Sequence, residues 1–156
     1  MSRINTPLSE AAQKSVGAAL QGALVDIIDL SLSAKQAHWN VYGPHFRSLH
    51  LQLDETVATA RAAGDLIAER AAAIGVAPDG RPSAVAAESG LPKIPDGPLK
   101  DDKVVSLFIE MYDKIISRMR ERIDSTGETD PVTQDQLIGI SHDLEKERWM
   151  FQTQAI

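Results

Sequence analysis

The sequence has no cysteine in 156 residues. Disulfide frameworks, thiolate-bound zinc, iron–sulfur clusters and thiol catalysis are therefore excluded, and any metal must be held by nitrogen and oxygen donors. Basic residues are in deficit, 16 Lys and Arg against 22 Asp and Glu, for a net charge of −6. A general surface of that sign does not attract nucleic acid or anionic membrane. The start, Met1-Ser2-Arg3-Ile4-Asn5-Thr6-Pro7, lacks the basic-then-apolar order of a secretory leader, and no apolar run approaches the ~18 residues of a membrane span. The expectation is a cytoplasmic protein with no membrane partner. Strand-like alternation, internal repeats and low-complexity stretches are also missing. So is Glu-x-x-His, the motif of a di-iron centre buried within one bundle; His142 and Glu145 give only its reverse order, once.

What remains is a chain of single-domain size, read as one domain over 1–156 with residues 1–7 as a short N-terminal tail. The eight prolines, at 7, 44, 78, 82, 92, 95, 98 and 131, punctuate it, because an internal proline costs a helix about 3 kcal/mol. The windows between them, 8–43, 45–77, 99–130 and 132–156, show apolar spacings of three and four, and predict four helices, A to D. Leu20, Leu24, Ile27 and Ala34 form the stripe of A; Phe46, Leu49, Leu53, Ala60, Ile67, Ala71 and Ile74 form that of B. Thr6-Pro7 predicts the cap and first residue of A, Gly43-Pro44 the end of A and opening of B, and Asp130-Pro131 the start of D. The A–B and C–D connections are short, whereas B–C takes roughly twenty residues, so B and C run parallel. The fold class is all-α, a ferritin-like four-helix bundle whose long crossover carries a short helix near Ser83 to Glu88.

Helix B holds the candidate chemistry. His50, Asp54, Asp65 and Glu69 fall at about 0°, 40°, 60° and 100° around its circumference, on one face. The apolar stripe centres about 120° away, so this face is turned toward a neighbour rather than the chain's own core. Asp54 and Asp65 stand about 16 Å apart along the axis, too far to share an ion within one chain. Both His50 with Glu69 and Asp54 with Asp65 are symmetric about the midpoint between residues 59 and 60. A two-fold antiparallel pairing of two B helices would therefore complete two identical sites. Small residues around that midpoint, Ala58-Thr59-Ala60 and Ala62-Ala63-Gly64, permit close approach. His38, at the end of helix A, can add a second nitrogen. Such donors suit iron, zinc or manganese, with redox or hydrolytic chemistry both open, so a metal-dependent hydrolase stands as an alternative. Arg61, on the same face at about 20°, offers a competing structural account by pairing with Asp65 at i+4. His45 and His142 have no matching partners and read as surface residues.

The stretch from Lys35 to Glu55, KQAHWNVYGPHFRSLHLQLDE, with DLIAER at 65–70, resembles the signature of the Dps miniferritins, the DNA-binding proteins from starved cells. The likeness runs on through the Pro-rich crossover to Asp130-Pro131-Val132-Thr133-Gln134-Asp135 and Asp143-Leu144-Glu145-Lys146 before Trp149. It implies a dodecameric shell with ferroxidase sites at two-fold interfaces, which oxidises Fe(II) with hydrogen peroxide in preference to oxygen and stores ferric oxide against oxidative stress. By the same resemblance His38, His50 and Asp54 of one subunit, with Asp65 and Glu69 of another, bind and oxidise the iron. Trp39 corresponds to a radical-intercepting tryptophan, with a packed aromatic as the alternative; Lys35 is a supporting charge or a surface residue. Asp130 and Asp135 correspond to carboxylates lining pores for incoming Fe(II), with ordinary helix N-terminal acids as the alternative. The chain departs from the family over DNA. Residues 1–10 hold Arg3 against Glu10, no basic residue follows Trp149, and twelve copies at −6 each make −72, which repels phosphate.

Overall fold

The computed structural model describes residues 4–155. Met1 to Arg3, including the one basic residue of the expected tail, and Ile156 lie outside the described residues. Among those described, the elements are α1 (Glu10–Asn40), β1 (Val41–Tyr42), α2 (Phe46–Ala73), α3 (Pro82–Glu88), β2 (Leu99–Lys100), α4 (Asp101–Thr126) and α5 (Pro131–Gln152). Helices α1, α2, α4 and α5 are the predicted A to D, and α3 is the short crossover helix. Pairs α1/α2 and α4/α5 make the most extensive contacts, with α1 on α4 next, so two hairpins close on each other around an aliphatic interior. Leu20, Ile27, Leu49, Leu53, Ile67, Phe108, Ile115, Leu137 and Phe151 are fully buried there. Burial of each such side chain is worth about 1.5–3 kcal/mol, enough to hold long helices whose isolated stability is marginal.

Several boundaries differ from expectation. Helix α1 starts at Glu10, beyond the predicted Thr6-Pro7, because Ser9 caps it by accepting from the Ala12 amide at 3.3 Å; the Thr6 hydroxyl instead accepts from Leu8. The irregular N-terminal segment thus reaches past residue 7. Helix α1 ends at Asn40, short of the expected Gly43-Pro44, because Val41 turns extended and joins Tyr42 in β1, and α2 opens two residues after Pro44, at Phe46. Phe46 is itself 44% exposed and does not join the core stripe. A two-residue parallel bridge pairs Val41 with Leu99 and Tyr42 with Lys100, the only strand pairing among the described residues; it is too short to leave an alternating pattern in sequence. Helix α1 also departs from the expectation that no apolar run approaches the length of a membrane span. An 18-residue window within it has mean hydropathy 1.4, apolar enough by composition for a membrane span, but over half of that window is buried inside the bundle.

The bridge joins the end of α1 to the start of α4, so α4 departs from the end of the bundle where α2 also begins. The two therefore run parallel. Gly43 makes this junction possible: its φ is +131°, and a Cβ there would meet the Asp101 carboxylate at 2.5 Å. That carboxylate accepts the His45 amide at 2.8 Å and the Asp102 amide at 3.0 Å. At the far end α2 stops in a Schellman turn, with Gly75 at φ +83° and the Val76 amide bonded to the Ala71 carbonyl at 2.9 Å. The crossover is then strapped to α1. Gln21 exchanges two hydrogen bonds with the Asp79 backbone. Fully buried Asp26 accepts the Gly90 amide and faces Arg118 and Arg122, each at 2.8 Å.

Candidate metal centre

His38 lies in the last turn of α1 and His50 in the second turn of α2, side by side because the α1–α2 turn is short. Their rings stack with centroids 3.6 Å apart. His38 Nδ1 lies 2.7 Å from the His50 carbonyl oxygen, and His50 Nδ1 lies 3.0 Å from that of His38. A carbonyl oxygen only accepts, so each Nδ1 carries the proton and donates it. The His38 carbonyl, one of the helix-end acceptors without an intrahelical partner, is thereby satisfied. Both rings are fixed in one tautomer with Nε2 as the basic nitrogen, the arrangement that orients a metal-ligating imidazole. Phe46 packs on the outer side of His50 at 5.0 Å between ring centroids.

One turn further along α2, Asp54 completes this half. Its Oδ1 lies 2.5 Å from Lys35 Nζ and 3.5 Å from His38 Nδ1. The Lys35 hydrogen bond holds the Asp54 carboxyl below its usual range, against an opposing push from partial burial and with help from the nearby imidazoles. Lys35 is thus in direct contact with a candidate ligand.

Asp65 and Glu69 occupy the other half of α2. Both are exposed, and neither bonds to any described residue. Arg61 forms no ion pair with Asp65 among the described residues, so the competing account from i+4 pairing is not what this chain adopts. Arg61 and Asp65 instead line an open groove of about 530 Å³ with Ile28, Leu32, Gly64 and Ala68. Among the described residues, no three His or carboxylate side chains of one chain converge as a metal-holding group. Helix α2 runs from Phe46 to Ala73, so the midpoint between residues 59 and 60 is the centre of the helix.

The remaining candidates separate. Trp39 is 68% exposed, so within the chain it is not a packed aromatic. Asp130 is buried at 4% exposure; Arg70 donates to it at 2.7 Å and the Thr133 hydroxyl at 2.5 Å. Burial pushes its carboxyl upward, but the Thr133 and Arg70 hydrogen bonds outweigh this and leave it lowered. Within the chain, then, Asp130 is a carboxylate engaged at a helix start. Asp135 is exposed.

One cluster escaped the sequence reading. Thr56, Tyr112 and Glu147 meet inside the bundle, where both hydroxyls bond to Glu147 Oε2. The signal was present: Glu147 sits three residues after Leu144 and four before Phe151, on the apolar stripe of α5.

Comparison with known proteins agrees with this architecture. A ferritin-like domain matches residues 17–155. DNA protection during starvation protein 2 of Deinococcus radiodurans is 36% identical over 141 residues, 90% of this chain and 58% of that protein, so the chain spans little more than half of its length. The DNA protection during starvation protein of Agrobacterium fabrum is 34% identical over 90% of this chain and 88% of its own. Among solved structures, the tetragonal form of Mycobacterium smegmatis Dps superposes with a TM-score of 0.94 at 30% identity, covering 99% of this chain and 93% of that one. Dps92 from Deinococcus radiodurans gives 0.90 at 34% identity, covering 92% and 87%. With the bundle, its long crossover and matches of this extent, the chain belongs to the Dps family of ferritin-like proteins.

Proposed function

We propose that the protein is a ferroxidase and iron-storing homo-oligomer, a dodecamer of the cytoplasm that consumes Fe(II) and hydrogen peroxide and so limits oxidative damage. The observation that carries this reading is the division of α2. Two imidazoles in a fixed tautomer and Asp54 stand at one end, and two unbonded carboxylates stand at symmetric positions at the other. A two-fold pairing of α2 would bring His38, His50 and Asp54 of one subunit to Asp65 of the partner subunit and Glu69 of the partner subunit. Neutral nitrogen and hard carboxylate donors fit ferrous iron as substrate and favour the ferric product; zinc or manganese fits the same donors. The groove lined by Ile28, Leu32 and Ala68 offers apolar surface for that pairing.

In the reaction, peroxide takes one electron from each of two ferrous ions, its O–O bond breaks, and two hydroxides leave with the ferric product. Paired electron transfer avoids the hydroxyl radical. The chain's own contribution is positional. The His38 and His50 carbonyls hold the imidazoles, and Lys35 neutralises Asp54 until a metal cation replaces it. Asp135, exposed near the start of α5, is the better placed of the two acids to attract Fe(II), because Asp130 is engaged by Arg70. The net charge of −6 gives no support to DNA binding, and a low-salt gel shift without retardation is the expected result.

The test is a variant carrying both His50→Ala and Glu69→Ala. Anaerobic loading with Fe(II) followed by peroxide should show ferric absorbance rising no faster than in buffer, with assembly by light scattering unchanged. Wild-type rates in that variant would contradict the assignment.

A further inference from the structure

The cluster inside the bundle has no part in binding iron at the α2 face. Tyr112 on α4 is completely buried, and its hydroxyl donates to Glu147 Oε2 on α5. Thr56 on α2 donates to the same oxygen at 2.9 Å and lies 3.2 Å from the Tyr112 hydroxyl. No cation pairs with Glu147 among the described residues. A purely packing role in this position would be served at lower cost by apolar side chains of similar volume. Phe108 and Phe151 stack beside the phenol, with the Phe151 ring 5.7 Å from it, so its immediate surroundings are apolar.

Burial, then the charge and hydrogen bond of Glu147, hold the Tyr112 phenol well above its ordinary range. The phenol therefore stays protonated, and it can release an electron readily only if its proton leaves in the same event. Glu147 Oε2 already accepts that proton's hydrogen bond, so a base stands in place to receive the proton. The position is equally specific. Thr56 follows Asp54 by two residues, about 3 Å along α2 but on its inward side. The phenol and the candidate metal centre thus lie on opposite sides of a single helix, about 10–12 Å across.

We propose that Tyr112 is a one-electron donor to the iron site, with Glu147 as its proton acceptor and Thr56 positioning the carboxylate. The role rests on the ferroxidase reading and applies when a site holds one Fe(II) instead of two. Peroxide then takes one electron from Fe(II) and one from Tyr112. Its O–O bond breaks to give two hydroxides, Fe(II) becomes Fe(III), Tyr112 becomes a neutral phenoxyl and its proton moves to Glu147. A later Fe(II) returns the electron and Glu147 returns the proton, so no hydroxyl radical is released.

The chain has two tyrosines, which makes the test decisive. Protein with one Fe(II) per site is mixed with peroxide and freeze-quenched for electron paramagnetic resonance. The expected result is a phenoxyl signal that narrows with ring-deuterated tyrosine, persists in Tyr42→Phe, disappears in Tyr112→Phe and falls at least tenfold in Glu147→Gln. Tyr42 is exposed, so Tyr42→Phe alone assigns the signal should Tyr112→Phe fail to fold. A signal that disappears with Tyr42, or iron oxidation without any phenoxyl, would overturn the proposal. A second arm uses metal-free protein and a flash-generated ruthenium(III) polypyridyl oxidant. Tyr112 phenoxyl in this arm from protein that cannot oxidise Fe(II) would refute the ferroxidase reading while supporting Tyr112 and Glu147 as a proton-coupled donor pair. No Tyr112 phenoxyl in either arm would overturn the pair itself.

Discussion

The two halves of α2 carry similar residues in opposite states of readiness. In the first half, His50 and Asp54 are tied to α1 through stacked rings, reciprocal carbonyl bonds and Lys35. In the second, Asp65 and Glu69 stand exposed and make no bond to a described residue. The first half can hold its geometry alone, whereas the second has nothing within the chain to act on. On the proposed reading each end of the helix holds half of a site, and two-fold symmetry rather than further chain would join them.

Substitutions should separate the halves. The largest effect belongs to Glu69→Ala, which should slow peroxide-driven Fe(II) oxidation by at least the roughly 10–100-fold typical of weaker, indirect perturbations of a metal site. His38→Ala should match that loss in the same stopped-flow assay. Next comes Gly43→Ala, which forces a side chain into a positive φ and against Asp101; a loss of about 2–3 kcal/mol is expected in urea unfolding at fixed protein concentration. His38→Ala should also cost stability, about 1–2 kcal/mol, because it removes a buried stack and leaves the His50 ring without its partner. Glu69→Ala and Asp65→Ala should lie within about 0.5 kcal/mol of wild type in that measurement. Equal stability losses in the two halves would break the comparison.

A smaller effect appears on acidification. The His45 amide, and then the Asp102 amide, hold the Asp101 carboxyl below its usual value, against the opposing push of burial. A carboxyl lowered in the folded state contributes stability that is present above its unfolded pKa of about 3.9 and is lost as pH falls through the lower folded value. Urea midpoints should therefore decline below about pH 4, and Asp101→Asn should flatten that limb without changing its neutral-pH neighbours in the second half of α2.

Much of this was legible in sequence, for definite reasons. Proline positions and apolar spacing of three and four marked out four helices because both report directly on backbone hydrogen bonding and burial. The shared face of His50, Asp54, Asp65 and Glu69 follows from a helical period alone. The reciprocal histidine bonds were not legible, since their acceptors are main-chain carbonyls that every residue possesses. Asp130 looked like one more acid at a helix start; only the fold reveals Arg70, sixty residues earlier, donating to it. The start of α1 was misplaced because Thr6 and Ser9 are both good caps, and the choice depends on which hydroxyl reaches a helical amide. Glu147 is marked in sequence only by its place on an apolar stripe, and the two hydroxyls that meet it come from other helices.

The central claim, that each site takes His50 from one subunit and Glu69 from the other, is tested most directly by mixing. His50→Ala and Glu69→Ala chains are each expected to be inactive alone, yet a mixed two-fold pair would contain one site with both residues intact and one with neither. Random co-assembly at equal expression makes half of all pairs mixed, so peroxide-driven oxidation should return to about a quarter of the wild-type level. Activity that stays at the level of the separate variants would contradict a shared site.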